Sequence, residues 1–127
     1  MRTPTAVLLV ALGGSLGAVA RWAVQAWLSP QSATFPTATL LINVTGSFLI
    51  AAFAAVAAGH PALGPGWSLL FPIGFVGAYT TFSTYELELW RLIERGQTGL
   101  AAAYFLGSNA LGFLALLAGL WVGKQVG

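Results

Sequence analysis

Apolar residues run almost unbroken through four stretches of this chain, and the polar ones gather in short intervals between them. The first two stretches, residues 5–28 and 37–58, are separated by a polar turn from Ser29 to Pro36 with a proline near each end. Gly59 to Gly66, with His60, Pro61 and Pro65, leads to a third at 67–92, and Gly96 to Gly99 to a fourth at 100–122, ending at Gly123-Lys124. Each stretch is near or above the roughly 20 residues an α-helix needs to cross a bilayer. The pattern therefore predicts a single all-α domain, 1–127, of four transmembrane helices.

The third stretch departs from the others. Gly74-Phe75-Val76-Gly77-Ala78-Tyr79-Thr80-Thr81-Phe82-Ser83-Thr84-Tyr85 sets two glycines and a cluster of Ser and Thr hydroxyls at mid-depth. Backbone in the hydrocarbon leaves the helical pattern only where protein, ions or a water-filled cavity satisfy its polar groups. A third helix broken at the bilayer centre is expected, with freed carbonyls suited to a cation and freed amides or hydroxyls to an anion. The first stretch, led by Arg2, resembles a signal peptide with small residues at Gly17-Ala18, but apolar character resumes through Trp22 to Leu28 and favours a retained helix. Gly13 and Gly17 are four apart, as are Gly14 and Ala18, which bares one face to a neighbouring backbone. A nucleotide loop is disfavoured, because no strand precedes these glycines and the full glycine spacing is missing.

Composition narrows the function. Hydrophobic residues make up 57% of the chain and charged ones 6%, against about a quarter charged in soluble domains. With no Cys or Asp, three Glu (Glu86, Glu88, Glu94) and His60 alone of its type, hydrolytic dyads and multi-ligand transition-metal sites lack parts, and no enzyme is expected. Five scattered basic residues are too few for a nucleic-acid footprint. Counted by side, Arg2 and Lys124 face Arg91 and Arg95, with Arg21 a third on that side if it reaches the interface. Lys/Arg asymmetry sets orientation. A chain with almost none is expected to insert both ways and pair with its own inverted copy.

Several polar residues admit two readings. Arg21 either snorkels to the interface or, facing the protein interior or water, pairs with carbonyls or raises the anion concentration in a vestibule. The Asn43 amide, set among Leu40, Leu41, Ile42 and Val44, either bonds a neighbouring helix or lines a pathway, and shares one helical face with Thr39 and Gly46. Tyr104, Ser108 and Gly112 recur every four residues as a packing stripe or a polar track. Trp90 marks an interfacial belt, surface ion pairing with Arg91 and Arg95 accounts for Glu88 and Glu94, and His60 is a solvated loop residue. Glu86, nearest the break, is the sole candidate for the proton-exchanging carboxylate of a small dual-topology exporter, the alternative to a channel.

The third-span motif, preceded by Gly14-Ser15-Leu16-Gly17-Ala18-Val19-Ala20-Arg21-Trp22 and Thr39-Leu40-Leu41-Ile42-Asn43-Val44-Thr45-Gly46-Ser47-Phe48, resembles the Fluc/CrcB family of small fluoride channels. The match covers essentially the whole chain in order, and its Thr-Thr-Phe-Ser-Thr core is more specific than any glycine pair. The resemblance implies an antiparallel homodimer in a bacterial or archaeal inner membrane, with two fluoride pathways exporting toxic fluoride passively. It implies a structural sodium ion at the midplane on backbone carbonyls matching Gly77 and Thr80. It further implies a fluoride pathway of Asn43, Phe82, Ser83, Thr84, Tyr85, Tyr104 and Ser108, with Arg21 as the first-helix arginine. Tyr85 stands where a second Phe is usual, Ala78 where a second Gly is common, and Gly112 where a hydroxyl is often found.

Overall fold

The computed structural model describes residues 1–127, and the chain is all-helical. Helix α1 spans Thr3–Trp27, α2 spans Thr37–Gly59 and α6 spans Thr98–Val126. Each of these is long and apolar enough to cross a membrane alone. Between α2 and α6 the third crossing is assembled from pieces: α3 (Pro65–Ser68), a π-helical segment (Leu69–Val76), α4 (Gly77–Tyr79) and α5 (Phe82–Glu94).

The break expected in the third crossing is present and narrow. Thr80 (φ −77°, ψ 155°) and Thr81 (φ −148°, ψ 114°) are extended, and helix resumes at Phe82. Thr81 caps the restart, its side-chain oxygen accepting from the Thr84 amide. The wide-turned segment before the break was not foreseen. Pro72 lies inside it. A proline lacks the amide and its ring crowds the carbonyl four residues back, so the chain accommodates it by opening to i→i+5 turns. At the other end, α6 runs past the expected stop at Gly123-Lys124 to Val126, because Gly123 packs inside a helix pair rather than ending one.

The helices form two side-by-side pairs, α2 with α6 and α1 with the π-helical segment. Bare glycine backbone lets each pair close. A Cβ at Gly119 or Gly123 would run into the Phe48 or Ala52 carbonyl of α2, and one at Gly13 or Gly17 into the Leu70 or Phe75 carbonyl. Within a lipid environment, such close backbone approach supplies much of the dispersion that holds helices together. A small buried cluster of Tyr85, Leu92, Ala101 and Tyr104, flanked by Phe35, Leu40 and Leu89, ties α5 to α6.

Only 18 of 127 residues are buried, while Leu8, Trp22, Phe82 and Trp121 stand more than 60% exposed. An apolar surface of that extent has to be covered by lipid or by another protein.

Candidate functional site

The site grows out of the two extended threonines. In an unbroken helix the Thr81 amide would bond the Gly77 carbonyl; here it donates to Asn43 Oδ1 at 2.8 Å, and Asn43 Nδ2 donates to the Thr81 carbonyl at 2.9 Å. One side-chain amide thus satisfies both main-chain groups of a residue stripped of its helical partners. The Gly77 carbonyl is left without a donor from the chain, and the Thr80 carbonyl receives only Arg21 Nη1 at 3.4 Å. Of the readings of Arg21, pairing with a carbonyl is the one this contact supports.

Past the break, α5 begins with amides that no preceding turn can receive. The Thr81 hydroxyl takes the Thr84 amide at 3.4 Å and bonds the Thr84 hydroxyl at 2.9 Å. Phe82 and Ser83 have no carbonyl behind them, because the chain through Thr80 and Thr81 is extended. Main-chain oxygens therefore collect before the break and main-chain donors after it, with the positive end of the α5 dipole on the donor side.

A cavity of about 420 Å³ lies against this break, lined among others by Asn43, Thr80, Phe82, Tyr85 and Ser108. Ser108 Oγ is buried without a hydrogen-bond partner. Phe82 and Tyr85 stand 5.9 Å apart between ring centroids, and Tyr85 meets Tyr104 edge-on at 5.1 Å. The cavity brings together four of the residues expected at a pathway, Asn43, Phe82, Tyr85 and Ser108, with Tyr104 packed behind Tyr85. It leaves out Ser83, which is exposed, and Thr84, which is half-buried and turned to the Thr81 hydroxyl. Ser47 and Asn109 also line the cavity and were missed by the sequence reading. Asn109 carried a signal, as an amide in the middle of an apolar helix.

Glu88 requires a correction. Its carboxylate accepts from the Thr39 hydroxyl at 2.9 Å and from the Tyr104 hydroxyl at 2.7 Å, so two hydroxyls on other helices hold it, in place of the expected surface pairing with Arg91. Thr39 and Tyr104 are each 1% exposed. A second cavity, of about 310 Å³, opens beside this cluster and is lined by Thr39, Glu88, Arg91 and Arg95 along with Gln25 and Ser32. The α2 face carrying Thr39, Asn43 and Gly46 holds together as the spacing indicated: Thr39 meets Glu88, Asn43 meets Thr81, and Gly46 admits the Thr80 methyl group. Tyr104 bridges the two cavities' linings, touching Tyr85 on one side and Glu88 on the other.

Chemically the break can serve two kinds of ion. No cluster of three His, Cys, Asp or Glu side chains exists, so a cation here would rest on main-chain oxygens, a donor set suited to a hard cation. A small anion would meet amide and hydroxyl donors and aromatic ring edges, which carry the positive part of the ring quadrupole.

Residues 8–120 match the model of the family described as CrcB-like protein, Camphor Resistance (CrcB). A protein of Acidobacterium capsulatum named fluoride-specific ion channel FluC is 50% identical over 94% of this chain and 96% of its own length. Namesakes from Nitrobacter winogradskyi (46% identical, 96% of this chain and 98% of theirs) and Chlorobium chlorochromatii (42%, 90% and 88%) are similar over nearly the same extent. With the family model covering most of the sequence and half the positions of a full-length relative unchanged, the chain belongs to the CrcB-like family.

Proposed function

We infer that the protein is a fluoride-selective channel that lets toxic fluoride leave the cell passively. The observation that carries this is the break at Thr80-Thr81, which leaves the Gly77 carbonyl without a donor on one side and the Phe82 and Ser83 amides without an acceptor on the other. Fluoride is small and strongly hydrated, so a pore must replace its water with donors and still release it. The groove of Asn43, Phe82, Tyr85 and Ser108 offers donors and ring edges, and no lysine or arginine lines it to trap the ion. Tyr104, packed edge-on against Tyr85, would extend the route, Ser83 and Thr84 would join it only where a second copy closes over their exposed side of the break, and Arg21 would raise the local anion concentration.

Two copies in opposite orientation complete the reading. The exposed Phe82 and the apolar faces need cover, and an inverted partner would supply it while doubling the groove. The Gly77 and Thr80 carbonyls are two oxygens per chain, half of a coordination shell; two copies would hold a sodium ion between them. When bound, that ion supplies a fixed positive charge near the anion route and satisfies the freed carbonyls.

Purified protein in liposomes loaded with fluoride, followed with a fluoride electrode, tests the reading. Efflux is expected from the unmodified chain and from Glu86→Gln, since Glu86 is exposed and lines neither cavity. Asn43→Asp, which puts a negative charge on the route, and Phe82→Ile, which removes a ring edge, are expected to slow it at least tenfold. Loss of flux in Glu86→Gln together with a requirement for a pH gradient would replace the channel with a proton-coupled exporter.

A further inference from the structure

Asn109 and Tyr85 form a pair on the groove wall whose hydrogen bonds run in one direction. Asn109 Nδ2 donates to the Phe105 carbonyl at 2.8 Å, one turn back on α6, and to the Tyr85 hydroxyl oxygen at 3.4 Å. The contact with Phe105 fixes which way the amide faces, because its oxygen placed there would meet another carbonyl oxygen. An amide nitrogen has two protons and accepts nothing. Tyr85 is therefore the acceptor in this pair, and its own proton has no acceptor within the chain. The side chain is 5% exposed and lines the same cavity as Asn43 and Phe82. Ser108, beside Asn109 in sequence and on the same wall, carries a second hydroxyl that is buried and unpartnered.

Neither hydroxyl has an acceptor for its proton within hydrogen-bond distance in the chain, and both residues line the cavity. We propose that Asn109 is a positioning residue: by occupying the Tyr85 oxygen it directs the Tyr85 proton into the groove, where that proton becomes a donor to the passing anion. This deepens the fluoride reading and rests on it. It also accounts for an amide in the middle of apolar α6, where a polar group facing lipid alone is unfavourable.

Single-channel current in planar bilayers, recorded against fluoride concentration, tests the assignment. Tyr85→Phe keeps the ring and removes only the hydroxyl. It should raise the half-saturating fluoride concentration about tenfold, the scale of one lost hydrogen bond to a charged group. Asn109→Leu should shift it the same way by about threefold, and the double variant should match Tyr85→Phe alone, since Asn109 acts only through the hydroxyl. Misfolded protein lowers the number of channels seen and leaves the current of each folded one unchanged, so the readout separates a structural effect from loss of a donor. An unchanged half-saturation in Tyr85→Phe, or effects of the two substitutions that multiply, would overturn the proposal. Absence of any fluoride current from the unmodified chain would bring down the channel reading beneath it.

Discussion

Asn43 does two jobs with one amide. It pairs both main-chain groups of Thr81, and one amide proton remains for the groove. Asn43→Ala removes both bonds and leaves a buried N–H and C=O unpaired, at about 1–3 kcal/mol for each. The protein in detergent is expected to unfold at a distinctly lower temperature than the unmodified chain; an unchanged midpoint would mean that water or another donor already serves Thr81. That Asn43 mattered was legible, because an amide among four aliphatic neighbours must find a partner. Which partner was not legible, since Thr81 lies 38 residues away. Glu88 shows the opposite failure. Arg91, three positions on, offered a local partner that the sequence displays, while the hydroxyls that hold the carboxylate come from 49 and 16 residues away. Local charge spacing was the visible signal, and the buried hydroxyls of Thr39 and Tyr104 were the stronger attraction.

Among the elements, the third crossing was readable where its chemistry was unusual. Glycines and hydroxyls at mid-depth announced the break, and two threonines make it. The π-helical stretch ahead of it went unread although Pro72 sits inside it, because a proline signals that a helix must adjust without saying whether it kinks, widens or stops. That stretch also forms the contact with α1, and glycine sets how close they come. A Cβ at Gly17 would collide with the Phe75 carbonyl, which is backbone and cannot swing aside. Gly17→Ala should therefore push the pair apart and destabilise the fold by about 1–3 kcal/mol, the scale of overpacking a filled contact. Gly99→Ala is the control: nothing stands within 4 Å of that position, and alanine at a helix start should leave stability unchanged or raise it by up to about 1 kcal/mol. Comparing the two variants by thermal unfolding in detergent checks the claim, which fails if Gly17→Ala melts with the unmodified protein.

For the whole molecule, a lone chain is an incomplete object. Its exposed aromatic and aliphatic surface needs cover, and its Gly77 carbonyl has no donor within the chain, while the near-even split of basic residues between the two sides supplies a way for an inverted copy to arise. Orientation follows Lys and Arg in short loops, so it can be forced. Gln125→Lys with Val126→Lys adds positive charge beside Lys124 on the terminal side, and Thr98→Lys with Gly99→Lys adds it to the opposite turn; all four positions are exposed. Each doubly substituted chain should insert in a single orientation, lack a partner of the other hand, and fail to protect a fluoride-sensitive bacterium. Expressed together, the two should restore protection, because each supplies the orientation the other has lost. Full protection by either chain alone, with its termini mapped to one side, would mean that the channel assembles from copies pointing the same way, and the carbonyls of Gly77 and Thr80 could then no longer meet across a twofold axis in the membrane plane.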